Sequence, residues 1–282
     1  MHAASGLGRR DRLLELLNAE PERVNEPGPD GAAPLHLARD PETAALLLER
    51  GADIEQRCVD HESTPVMWAT DGRVDVVRFL LQRGARPDLY LAALTDDAAL
   101  AERILEEDPG AIDVSVHPGR SHPHLGGGDK YVWALEGAGT PVELARRRSS
   151  DAVYALLLDR SPDDVRLLQA ARRGDAREME RLLDSDDELL DSLSEHMVCE
   201  VLSSTGAGAR VLLAREVDPN PRDAPSGATP LHHAAWNGRR EVIDVLLGAG
   251  ANPRLRDRQY DATPADWARH AGRADLARRL SG

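Results

Sequence analysis

The side chains best suited to chemistry crowd into residues 116–137, VHPGRSHPHLGGGDKYVWALEG. The stretch holds His117, His122 and His124, three consecutive glycines, Trp133, and Lys130, the chain's only lysine. A metal site would use the histidines, and a His-x-His pair can serve a metal from an extended segment. No Cys or carboxylate stands at a companion spacing, however, so no metal is expected. A phosphate cradle would use GGGDK, which lacks the spacing and the Ser/Thr of a Walker loop. Acid–base chemistry is the remaining option, with His117, His122, His124, Asp129, Lys130 and Tyr131 as its catalytic candidates. No GxSxG, HExxH or GxGxxG occurs in a fitting context. The balance favours a binding protein over an enzyme, with no cofactor.

Whatever these residues do depends on the elements that hold them. The 282 residues are 41% hydrophobic but only 3% aromatic, with a single Phe. Large single cores lean on Phe and Tyr, each of which buries a large area. Here Ala and Leu must take that part, which favours many thin layers. The net charge of −14 excludes general binding to nucleic acid or to an anionic membrane, since both demand a positive field. Residues 1–11, MHAASGLGRRD, lack the apolar core of a signal peptide. No apolar run approaches the ~20 residues that span a bilayer. Cys58 and Cys199 are the only cysteines, which fits a reducing interior and a cytoplasmic protein. Arginine outnumbers lysine 34 to one, as expected of a GC-rich bacterial coding sequence.

Self-alignment gives the organisation. Residues 226–252 read SGATPLHHAAWNGRREVIDVLLGAGAN, and ATPADWARHAGRADLARRL follows at 262–280. Earlier come GAAPLHLARDPETAALLLERGAD (31–53) and STPVMWATDGRVDVVRFLLQRGARPD (63–88). Thr229 can cap a helix whose first position is Pro230, where no amide bond is lost. Ala234 and Ala235 let neighbouring helices approach, Gly238 turns the chain, and Val242, Val245, Leu246 and Leu247 give the next helix its apolar face. These segments resemble ankyrin repeats, and Thr229 and Thr263 lie 34 residues apart against a family period of ~33. Degenerate copies stand at 88–112, 140–163, 163–184 and 194–214. The segments DHESTP, TPVELAR and DRSPDDVRLLQAARRGD are similar to free-standing bacterial ankyrin proteins.

The resemblance implies an all-α ankyrin-repeat solenoid of about eight helix-turn-helix units, with short hairpin tips and one long inserted loop. The expected organisation is one domain over 1–282: an N-terminal cap (1–29), repeats (30–112), the inserted loop (113–139), repeats (140–252) and a C-terminal cap (253–282). It also implies that partners dock on the concave face of inner helices and hairpin tips. Carried over by motif, the residues facing that groove are Trp236 and Asn237, Arg172 and Arg173 in QAARRGD, and Arg146, Arg147 and Arg148 in ELARRRSS. His36 and His232, in the PLH position, are structural by the same resemblance, and His233 beside His232 is a candidate contact. Trp68 and Trp267 occupy one motif position and are assigned to packing.

Arginine forks suit carboxylate or phosphate, so the expected partner is a protein of acidic character. The binding candidates are Arg147, Arg172, Arg173, Trp236, Asn237, His233, Lys130 and Trp133. The alternative is a small anionic ligand, bound or turned over between the 113–139 loop and the inner helices 140–148 and 163–173.

Overall fold

Alternating Thr-Pro starts, Ala pairs and Leu-rich runs specify short antiparallel helices, and these are what form. In the computed structural model, all residues are described except 29–30, 115–129, 136–138, 224–225 and 282, and the side chains of Val132 and Trp133. The described residues are helical with no β-strand, the architecture of an all-α ankyrin solenoid. They fall into two compact units, Met1–Arg160 and Ser161–Gly282.

Among the described residues the first unit contains five helix pairs: His2–Gly6 with Arg10–Ala19, Pro34–Leu37 with Pro41–Glu49, Pro65–Ala69 with Val74–Gln82, Leu89–Thr95 with Ala98–Glu107, and Pro141–Arg148 with Asp151–Arg160. Pro34–Leu37 is only a 3-10 turn, because Asp40 begins capping the next helix at once by accepting from the Thr43 amide at 2.8 Å. The described second unit has four pairs: Asp163–Arg173 with Ala176–Ser185, Glu195–Ser204 with Gly206–Leu213, Pro230–Asn237 with Arg240–Gly248, and Pro264–His270 with Ala274–Ser281.

Each unit is built of thin layers. Inner helices bury alanine: Ala69, Ala92, Ala145, Ala170, Ala171, Ala234, Ala235 and Ala268 are all inaccessible. Outer helices bury leucine, such as Leu47, Leu80 and Leu157 in one core and Leu182, Leu212 and Leu246 in the other. Small inner residues let backbones approach, and each buried Leu contributes roughly 2 kcal/mol of transfer free energy. Gly174 and Gly238 end inner helices in the left-handed conformation, at φ 71° and 70°. Asp96 and Ser149 hold the same turn in the diverged copies, at φ 53° and 55°. Those two residues hide the repeat from a motif search without changing the backbone.

Part of the expected inserted loop is not loop. Lys130–Ala134 forms a short helix that packs on Pro65–Ala69, and the first residue of the expected loop, Asp113, closes the 3-10 turn Pro109–Asp113 that ends the preceding repeat. Tyr131 supplies the physical reason: it is fully buried, with its ring 5.3 Å from that of Tyr90. Tyr90 Oη lies 3.0 Å from the Val114 carbonyl and 2.7 Å from that of Gly139. Both ends of the insertion are therefore tied to one hydroxyl.

Candidate functional site

The local machinery is clearest at the two PLH histidines. The Ala33 amide donates to His36 Nδ1 at 3.1 Å, so Nε2 carries the ring proton and donates to the Ser63 carbonyl at 3.1 Å. His232 repeats the pattern: the Thr229 amide donates to Nδ1 at 3.0 Å, and Nε2 donates to the Ala262 carbonyl at 3.0 Å. Burial lowers the pKa of both rings below the ordinary 6.5. Each neutral imidazole thus joins a helix start to the next hairpin, the structural part their motif implies.

Those hairpins position aromatic side chains. Asp257 accepts from the amides of Gln259, Tyr260 and Ala262 at 2.9, 2.6 and 3.2 Å, and from Trp267 Nε1 at 2.9 Å. Burial works against its ionisation, yet these donors hold the carboxyl below the usual range. Asp223 organises the preceding hairpin, accepting from Ser226, Ala228 and, at 2.9 Å, His233 Nε2. In the first unit Cys58 takes the place of Asp257, accepting from Trp68 Nε1 at 3.1 Å across the same interval of ten residues.

The outcome in the second unit is an aromatic cleft of about 500 Å³ lined by Trp236, Gln259, Tyr260, Ala262, Asp266, Trp267 and His270. Trp236 is 42% exposed and Tyr260 68%. Trp236 meets Trp267 edge-on at 5.9 Å and stacks on His270 at 5.7 Å, while the His233 ring meets Trp267 at 5.5 Å. Asp266 is held ionised, its pKa lowered to about 2 by Thr263 and Arg269. The inner helix Pro230–Asn237 sets this arrangement. Leu231, His232, Ala234 and Ala235 fill its buried side, which leaves Trp236 exposed in the last turn.

The other expected site residues have definite places. Asn237 is exposed and donates to the His233 carbonyl at 2.9 Å. Arg172 pairs with Glu200, and Arg147 donates to the Leu135 carbonyl at 3.3 Å. Arg173 is exposed. Arg147 belongs to the first unit, Arg172 and Arg173 to the second. Lys130 sets its Nζ 4.4 Å above the Trp68 ring, and its amide donates to Ser63 Oγ at 3.2 Å. Tyr131, an acid–base candidate, is instead buried with its hydroxyl on Asp88 at 2.6 Å. His117, His122, His124 and Asp129, and the side chain of Trp133, lie outside the described residues.

Motif reasoning missed Tyr260, His270 and the cleft-lining part of Trp267. The interval from Asp257 to Trp267, repeated between Cys58 and Trp68, was the available signal.

The family model described as "Ankyrin repeats (3 copies)" matches residues 1–90 and 142–257. The chain belongs to the ankyrin-repeat family. This ankyrin-repeat protein is also 29% identical over 119 residues to the cyclin-dependent kinase 4 inhibitor B of Bos taurus, covering 42% of this chain and 90% of that protein. It is 30% identical over 116 residues to the human cyclin-dependent kinase inhibitor 2A, covering 40% of this chain and 74% of that protein. Family and relatives support a protein–protein interaction module. Among the described residues no helix is long and apolar enough to cross a membrane.

Proposed function

We propose that this ankyrin-repeat protein binds a protein partner through the aromatic cleft of its second unit, with Trp236 and Tyr260 as anchors. The observation that carries the reading is the exposure of these two large aromatic side chains, 42% and 68%, on one cleft. Clustered exposed aromatics are where binding energy concentrates, because each buries a large rigid surface at small conformational cost. Hairpin and inner helix hold the cleft in shape, so little ordering is required on binding. Asn237 and His233 border the anchors as polar contacts.

The relatives' names add a kinase domain as one partner class for this chain. The arginines enter as a rival surface: Arg172 holds Glu200 and Arg147 holds a carbonyl, which leaves them less able to grip an acidic partner. The test is selection from a random peptide library against the full chain, followed by binding to the W236A/Y260A variant. Selected peptides should lose binding to the variant while its thermal unfolding stays unchanged. Peptides that bind both proteins equally would overturn the reading.

A further inference from the structure

The same indole is treated differently in the two units. Trp68 and Trp267 occupy one motif position and are fixed alike: by Nε1 donation across ten residues to a hairpin side chain, and by the edge contact of a PLH histidine, at 5.9 Å from His36 and 5.4 Å from His232. Both indoles are half-buried, but in the first unit a cation lies over the ring. Helix Lys130–Ala134 packs on the helix bearing Trp68, places the ammonium of Lys130 4.4 Å above the ring and anchors its own amide on Ser63. In the second unit the residue matching Ser63 is Ala262, and both Ala262 and Trp267 line the open cleft. In the described second unit the rings of His233 and Trp236 meet Trp267 edge-on, and no cation lies over its face as Lys130 lies over Trp68.

We infer that the cleft receives a short partner segment carrying a basic side chain over Trp267, as Lys130 lies over Trp68. This rests on the proposed docking at Trp236 and Tyr260 and names the chemistry of what docks there. A cation over an indole face is drawn by the ring quadrupole, and tryptophan is the strongest such acceptor. Among the described residues, the one carboxylate lining the cleft is that of Asp266, which already pairs with Arg269 at 2.6 Å, so the indole face and not the wall draws the cation. At longer range the chain's net charge of −14 raises the rate of encounter with basic segments. Trp236 and Tyr260 supply flanking apolar surface for the residues beside the cation, as the ring of Tyr90 does for Tyr131.

The test uses the full chain, labelled with ¹⁵N, and an unlabelled peptide with the sequence of residues 127–135, GGDKYVWAL. A second peptide carries norleucine in place of its lysine, which keeps the aliphatic stem and removes the charge. Indole N–H resonances, assigned with W236F and W267F, report the site. The lysine peptide should shift the Trp236 and Trp267 resonances in a saturable way, and the norleucine peptide should bind at least about fivefold more weakly. Equal binding of the two peptides would overturn the inference, as would shifts confined to other indoles or no shift at all. If library-selected peptides still require Trp236 in that event, the docking reading stands and only its basic-segment chemistry fails.

Discussion

The Tyr131 hydroxyl donates to Asp88 Oδ2 at 2.6 Å, joining the inserted segment to the start of a repeat helix. Asp88 meanwhile caps that helix with Oδ1, which accepts from the Leu91 amide at 2.9 Å. One carboxylate therefore replaces the missing Thr-Pro start and also holds the insertion. Tyr131→Phe keeps the buried ring and removes the bond, so stability should fall by about 1–3 kcal/mol. Urea unfolding of the variant measures this. A loss below a few tenths of a kcal/mol would mean the insertion is held by packing alone.

Acid should weaken the protein through two rings. His36 and His232 have folded pKa values lowered from the ordinary 6.5 by burial. Between 6.5 and the lower folded values the unfolded chain binds more protons, so stability is present above this window and is lost as pH falls through it. The unfolding midpoint should be lower at pH 5.5 than at pH 7.5, and the difference should shrink in H36Q/H232Q. An unchanged difference in that variant would assign the pH response to other groups.

Cys199 should be chemically silent in the folded protein. Burial, then the charges of Asp223 and Glu200, push its thiol up to about 12, and thiolate is the reactive form. A maleimide reagent at pH 8 should leave Cys199 unmodified over the time in which denatured protein reacts fully, as peptide mass spectrometry would report. Rapid native labelling would contradict the burial of this side chain.

The hairpin that presents Tyr260 depends on Asp257, which gathers three amides and the Trp267 indole. Asp257→Ala strands these donors, and stability should drop by about 3 kcal/mol. The Trp267 indole proton should also exchange faster with solvent. Retained stability with retained indole protection would show that the tip is held by other contacts.

The sequence made the repeats legible wherever a residue had one mechanical task. Thr229 with Pro230, His36, His232 and the Ala234–Ala235 pair read directly, since cap, tautomer and helix spacing are local properties. The middle copies read less well because Asp88, Asp96 and Ser149 perform the same tasks with other side chains. Lys130–Ala134 was invisible as a helix. Its five residues are too few to show a period, and burial of Tyr131 against Tyr90 stabilises it from outside. Trp236 was legible as a candidate contact, but the cleft was not. Tyr260 and His270 reach it from separate elements, and only the hairpin around Asp257 brings them together.

The most direct test of the central claim is isothermal titration of one library-selected peptide against wild type, W236A and the triple variant R147A/R172A/R173A. Docking at the aromatic cleft predicts at least about a 30-fold loss of affinity for W236A, the ~2 kcal/mol of an anchor residue, with the triple variant binding as wild type. Full affinity in W236A, with loss in the arginine variant, would contradict it.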